Sequence, residues 1–418
     1  MLDRLRPFGV RLAALAAVGA VVRAVYTFAY APHQRGFGDW LYYNGVANAI
    51  ADGQWFIDPF AAATGEEVAS ASHPPLYPLV LSVISLLGGT GWRSHRALGV
   101  VLGAVSVVLI AMIARRVAGD RAGLVAGAIA ALHPLLVAAD GALLSETLYT
   151  PLFAGVLLCA YRLLDDPRAR WAVALGALIG LAALTRSEAL LLIPLLAVPV
   201  ALRTRPGWAL RAGAAALACV VVIAPWTIRN WDAFGRPVPI STQDGALIAG
   251  ANCPDIYYGP DTGGWSFACL SERTDLNEAT QSDTWRTEGA DYARDHTGRI
   301  PAVVAMRVLK LLDFYDPGYQ LQFAEGRDLD VQKAGVGVYY LLLPLAIAGA
   351  VLLRRRREPL RVLMAPVAMV LLSAVLFYGV TRLRHAADIV IVVLAAVALS
   401  ELAGRVLARR GDHAGVVA

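Results

Sequence analysis

The chain is built from apolar runs of roughly the 17 to 25 residues that cross a bilayer core, separated by short arginine clusters. That pattern leaves few folds open, because a backbone inside hydrocarbon must satisfy its own hydrogen bonds, as helices do. Composition agrees: 57% of the residues are hydrophobic and only 17% are charged, against about 25% charged in soluble domains. The expected fold is an all-α polytopic membrane protein, a bundle of about ten transmembrane helices with interfacial helices and two extracytoplasmic loops. The spans are placed at residues 9–30, 97–115, 121–139, 142–163, 171–184, 187–203, 208–228, 335–353, 362–380 and 386–403. The net charge of +5 does not point to nucleic acid, since the basic residues punctuate the ends of apolar segments instead of covering one soluble face.

Orientation follows from the excess of basic residues in cytoplasmic loops. Arg4/Arg6, Arg115/Arg116/Arg121, Arg162/Arg168/Arg170, Arg203/Arg205/Arg211, Arg354 to Arg357 and Arg405/Arg409/Arg410 share one face only if the short segment 74–87 does not cross. It begins Pro74-Pro75 and is read as an interfacial or re-entrant helix, with Arg93 and Arg96 left outside. Both termini are then cytoplasmic, in a multi-pass plasma-membrane protein whose working face is extracytoplasmic. The N-terminus has the outline of a signal peptide, but Arg11 and Arg23 interrupt the apolar run and further spans follow, so an uncleaved first helix is expected. The chain divides into a first helix (1–30), a first outer loop (31–96), a helical block (97–228), a large outer loop (229–334) and C-terminal helices with a cytoplasmic tail (335–418).

The large outer loop holds 16 of the 32 acidic residues against 10 basic ones, and is read as a small extracytoplasmic domain. Within it, Ser282 to His296 reads as a surface helix, and Ile300 to Phe314, carrying Arg307 and Lys310, as a helix lying on the membrane surface. Cys253 and Cys269 sit 16 apart in this loop, where an oxidising compartment favours a disulfide. Cys159 and Cys219 fall in spans and are read as packing residues. No metal-ligand spacing, Walker loop, dinucleotide loop or internal repeat is present, so no cofactor is expected and an activated donor must arrive by another route. For an outward-facing membrane enzyme that route is a lipid-linked substrate.

Just beyond the first span stands Gly38-Asp39-Trp40-Leu41-Tyr42-Tyr43, followed by His73-Pro74-Pro75-Leu76-Tyr77-Pro78. A carboxylate at the outer interface can serve as general base on an acceptor hydroxyl, or Asp39 can simply cap the helix it begins; the residues alone leave both open. His73 is either a polar entry to a helix or a phosphate contact. Further along come Leu132-His133-Pro134, Leu144-Ser145-Glu146-Thr147, Leu184-Thr185-Arg186-Ser187-Glu188, Ala224-Pro225-Trp226-Thr227-Ile228-Arg229-Asn230 and Gly235-Arg236-Pro237.

Taken in order, these segments resemble the GT-C glycosyltransferases over about residues 20 to 260, in particular the type (glycosyltransferase family 39-like) of the protein O-mannosyltransferases and the lipid A aminoarabinose transferase. The resemblance implies a first-loop aspartate, here Asp39, as catalytic base and a sugar on a polyprenyl phosphate as donor. O-mannosyltransferases carry an acidic pair where this chain has Gly38-Asp39, so the resemblance does not give the acceptor, which is an extracytoplasmic glycan, lipid or protein.

Ionisable groups at membrane depth are functional candidates. Arg186, Arg229, Arg382 and Arg384 fall at outer ends of spans against the charge rule, and arginine holds phosphate through paired donors; each can equally meet a lipid headgroup. His385, beside Arg384, is a further donor. Glu146 is read as a second acid that positions the acceptor, Glu188 as a partner for Arg186, and Arg23 as paired with an acid. The expected reaction is an inverting displacement in which Asp39 removes the acceptor proton and polyprenyl phosphate leaves. The alternative is a multi-pass transporter or lipid flippase, which would show broken helices in symmetric halves.

Overall fold

The computed structural model describes residues 2–31, 33, 38–271, 276–321 and 325–414. Among them the secondary structure is helical apart from one isolated bridge between Ile57 and Ala69. The chain begins with α1 (Leu2–Val25), continued by a π-turn to Tyr30, then α2 (Asp39–Ala51), α3 (Leu76–Leu86) and α4 (Trp92–Ala118). Next come α5 (Asp120–Leu132), α6 (Pro134–Gly141), α7 (Glu146–Asp165), α8 (Ala169–Ala183) and α9 (Trp208–Phe234). The outer region supplies α10 (Gln243–Ala251), α11 (Glu278–Asp295) and α12 (Ile300–Leu311), and the chain closes with α13 (Leu329–Arg355), α14 (Arg361–Leu376) and α15 (His385–Ala414).

Among the described residues six helices are long and apolar enough to cross a membrane, and α5 with α6 makes a seventh if that pair, bent by 53°, counts as one span. The bend falls at His133-Pro134, where the proline ring forces the preceding residue out of helical geometry, here to φ −64 and ψ 117. By length and apolarity the described helices give six or seven of the about ten expected spans, with three shorter apolar helices besides. All ten segments are helical, but α8 has 15 residues, α14 has 16, and 187–203 is divided into a 3-10 turn, a π-turn and a short α-helix. α8 and α14 stop early and lead into the irregular stretches 184–188 and 377–384. Such backbone is tolerated at membrane depth where protein buries it or it lines a cavity. The segment 74–87 becomes α3, an 11-residue helix packed on α2.

Small residues let the helices close up, which matters where no hydrophobic force drives apolar helices together. A Cβ on Gly176 would lie 1.9 Å from the Ala215 carbonyl oxygen, and one on Gly349 would lie 1.9 Å from that of Leu394, so α8 meets α9 and α13 meets α15 at backbone contact. The arginine clusters gather at one end of the bundle. Arg116 pairs with Asp165 at 2.5 Å and Glu358 at 3.7 Å, Arg211 donates to the Pro167 carbonyl at 2.7 Å, and Arg356 pairs with Glu401 at 2.5 Å.

In the outer region α10 packs on α11, and a disulfide joins Cys253 to Cys269 across a Cα–Cα distance of 6.0 Å. Over the expected segment 300–314, Arg307 and Lys310 face the protein, while Leu309 and Phe314 are exposed. α12 is packed between α10's end and the end of α14: Arg307, 4% exposed, donates to the carbonyls of Val375 at 2.9 Å and Ala251 at 2.7 Å, and Lys310 is 1% exposed.

Candidate active site

At the end of the bundle away from the arginine clusters, six elements bring titratable side chains together. Asp39 opens α2, His73 precedes α3, Glu146 opens α7, Arg186 follows α8, Glu325 precedes α13 and Arg382 precedes α15. Every one stands at an element terminus or in irregular backbone, where a side chain can turn inward without breaking a helix.

Arg382 is the hub. Its Nη2 lies 2.8 Å from Asp39 Oδ2, its Nε donates to Glu146 Oε1 at 2.5 Å, and its Nη1 pairs with Glu325. Arg186 flanks it, donating from Nη1 to Glu146 at 2.7 Å and from Nε to Glu188 at 2.6 Å. His73 Nε2 is 3.8 Å from Asp39 Oδ1, with its ring against Tyr42 and Tyr43 at centroid distances of 4.6 and 5.2 Å. His385 sits below, its Nε2 2.6 Å from the Thr150 hydroxyl one turn along from Glu146.

Asp39 is not a helix cap. Gly38 occupies the cap position and no side chain caps this helix, while the Asp39 carboxylate points at Arg382 and remains 23% exposed. Burial pushes that carboxyl upward, but Arg382, by charge and hydrogen bond, together with His73 overrides it and holds the group below the usual carboxylate range. Burial keeps His73 itself below the ordinary imidazole value, so it is neutral at pH 7 and Arg382 carries the shift. For Glu325 burial wins over Arg382 and its pKa is raised.

Two of the four candidate arginines, Arg186 and Arg382, are thus in the cluster, and two are not. Arg384 is buried in its own ion pairs, to Asp313 at 2.6 Å and Asp388 at 2.8 Å, with its guanidinium 3.6 Å from the centre of the Tyr339 ring. Arg229 donates to the carbonyls of Ser70 at 2.9 Å and Phe56 at 2.7 Å, and so pins the first outer loop to α9. Arg23 pairs with Asp140 at 2.6 Å inside the bundle, a fit that needs Gly103, whose Cβ would lie 2.1 Å from Arg23 Nε. Sequence reasoning missed Glu325 and Arg327, which influence each other and Arg382 electrostatically. Their only signal was a Glu-Gly-Arg triplet just before a span.

The loop carrying His73 is braced from three sides. Glu278 of α11 accepts from the Ala71 amide at 3.0 Å and from Thr242, Tyr42 meets the Ser70 hydroxyl at 3.0 Å, and Arg229 holds the Ser70 carbonyl. Among the described residues no group of three or more His, Cys, Asp or Glu side chains is arranged to hold a metal ion.

Comparison with known proteins bears on this arrangement. The profile of the dolichyl-phosphate-mannose-protein mannosyltransferase family matches residues 72–228, under half of the chain. No curated protein sequence is significantly similar. Among solved structures, the Archaeoglobus fulgidus oligosaccharyltransferase in complex with Zn and sulfate aligns at 17% identity and a TM-score of 0.57, over 95% of this chain and 49% of that one. Archaeal oligosaccharyltransferase AglB from Archaeoglobus fulgidus, in complex with an inhibitory peptide and a dolichol-phosphate, aligns at 15% identity and a TM-score of 0.55, over 97% of this chain and 52% of that one. This chain spans about half the length of those proteins. ArnT from Cupriavidus metallidurans bound to undecaprenyl phosphate aligns over 93% of this chain and 78% of that one at 17% identity, with a TM-score of only 0.43. A mannosyltransferase profile on the first helical block and the fold of an oligosaccharyltransferase over nearly the whole chain agree with the resemblance read from the sequence: this is a multi-pass membrane protein with the fold of that archaeal oligosaccharyltransferase.

Proposed function

We propose that this protein transfers a sugar from a polyprenyl-phosphate donor to an extracytoplasmic acceptor by inverting displacement, with Asp39 as general base. The observation that carries the reading is the carboxylate of Asp39 held 2.8 Å from Arg382, at the mouth of a cluster containing a second arginine. A base for the acceptor and a cation for the leaving phosphate are the two groups such a displacement requires.

The acceptor hydroxyl loses its proton to Asp39 as its oxygen attacks the anomeric carbon, and the bond to the phosphate oxygen breaks on the opposite face. The electron pair leaves with polyprenyl phosphate, whose growing charge Arg382 and Arg186 stabilise. Phosphate at Arg382 also takes up the positive charge that depresses Asp39, so the base strengthens when donor is bound. Glu146, held between Arg186 and Arg382, keeps both guanidiniums aimed at one point. Arg384 and Arg229 act in the scaffold, and His73 and His385 as polar groups at the edges of the site.

The archaeal oligosaccharyltransferase with this fold has been solved with dolichol-phosphate, which supports a polyprenyl-phosphate donor here. The shared end of the arginine clusters supports a cytoplasmic placement of both termini and an outward-facing site. The test is to incubate purified protein with polyprenyl-phosphate sugars and follow release of polyprenyl phosphate; transfer with inversion at the anomeric carbon is expected. A protein that moved such lipids between leaflets without cleaving them would be a flippase instead.

A further inference from the structure

Arg382 has no nitrogen to spare. Nε and Nη2 face Glu146, Nη2 also faces Asp39, and Nη1 faces Glu325. Four carboxylates (Asp39, Glu146, Glu188, Glu325) meet three guanidiniums (Arg186, Arg327, Arg382), an excess of one negative charge. A donor phosphodiester would bring a further negative charge into this confined site, and with one Nη1 N–H left it cannot take a paired contact on Arg382 unless a carboxylate withdraws.

The three carboxylates on Arg382 differ in how firmly they are held. Glu146 is 2% exposed, opens a membrane-spanning helix and is also bonded to Arg186. Asp39 is fixed in the first turn of α2. Glu325 lies outside any helix, its side chain is 28% exposed, and its backbone has φ +44, a left-handed conformation that strains a residue with a Cβ. Gly326 beside it, at φ +83, gives the turn freedom to move, and Arg327 two residues on supplies a positive charge next to the released carboxylate.

We infer that Glu325 stands in for the donor phosphate on Arg382 in the resting protein and is exchanged for it when the lipid-linked sugar binds. This rests on the reading of Arg382 as a donor-phosphate ligand. The exchange makes the site selective: a weak or misplaced anion does not displace a carboxylate already bonded to the guanidinium, whereas a phosphate anchored by its lipid chain does. It also keeps Arg382 neutralised at the membrane surface when no donor is present.

The experiment is a titration of purified full-length protein in lipid nanodiscs with undecaprenyl monophosphate, followed by tryptophan fluorescence. Variants are Glu325→Gln, Glu325→Ala, Arg382→Gln and the double Glu325→Gln/Arg382→Gln. Removing the competing carboxylate raises the fraction of competent sites, so both Glu325 variants should bind about tenfold tighter or better. Arg382→Gln should weaken binding, and in that background Glu325→Gln should have no effect. If Arg382→Gln weakens binding while neither Glu325 variant tightens it, the exchange is overturned and the donor reading stands. If Arg382→Gln leaves binding unchanged, the donor reading fails and the exchange falls with it.

Discussion

Replacing Asp39 by asparagine separates the proposed base from every structural role the residue has. The change keeps the shape and removes the charge. Three contributions can be sized from the structure. As an acid in the first turn of α2, Asp39 favours the helix by about 0.3 to 1 kcal/mol. As a partner of Arg382 it is one carboxylate of three, so its loss leaves the guanidinium paired with Glu146 and Glu325. The 3 to 5 kcal/mol typical of a stranded buried charge does not apply, because no charge is stranded. As general base it contributes about 10² to 10⁴ in rate, which at 1.36 kcal/mol per factor of ten is about 2.7 to 5.4 kcal/mol of barrier. The variant should therefore fold, bind polyprenyl phosphate at least as well as wild type, and show turnover reduced by two to four orders of magnitude on the same estimate. Measuring kcat and KM for donor, beside the melting temperature of the detergent-solubilised protein, separates these effects. Turnover above about a tenth of wild type would refute base catalysis by Asp39, and Glu146 would be the next residue to replace.

Arg23→Ala leaves Asp140 without its partner inside the bundle and should destabilise the protein by about 3 to 5 kcal/mol, whereas Arg23→Met with Asp140→Leu should recover most of that; thermal unfolding in detergent decides, and a loss below about 1 kcal/mol for the single variant would contradict the pairing. Cysteines at Ala63 and Arg168, both exposed and at opposite ends of the bundle, should respectively accept and resist a membrane-impermeant thiol reagent in intact cells; the reverse pattern would invert the proposed orientation. Glu278 has its pKa raised by burial, against opposing hydrogen bonds from Thr242, Ser70 and the Ala71 amide. The folded protein therefore keeps a proton that the unfolded chain has lost, so this stabilisation is complete below the ordinary carboxylate value and is lost as pH rises through the raised one. Melting temperatures across that window should fall in wild type and flatten in Glu278→Gln; an unchanged slope in the variant would remove Glu278 as the cause.

The membrane character of the chain was legible because hydrocarbon imposes a one-dimensional rule: enough consecutive apolar residues, with charge only at the ends. The ten helical segments and Asp39, Glu146, Arg186 and Arg382 came from that rule and from the order of short motifs. The number of long spans did not, because hydropathy cannot see where a helix gives way to irregular backbone. Residues 184–188 and 377–384 are short breaks that place arginines between apolar runs, and there the backbone turns aside to carry Arg186 and Arg382 to a common point. Nor could charge alone sort the arginines. Arg384 stands two residues from Arg382 and was an equal candidate, but a two-residue step in a 3-10 turn sends it to Asp313 and Asp388.

By itself, then, the sequence determined that this protein crosses a membrane, which end of the bundle gathers the arginine clusters, and that acids and arginines stand at the other. Only the tertiary structure decided which of them meet. Asp39, Glu146, Glu325 and Arg382 are separated by up to hundreds of residues, and their convergence depends on the packing of α2, α7, α13 and α15, where glycines and bends set distances that no local pattern encodes.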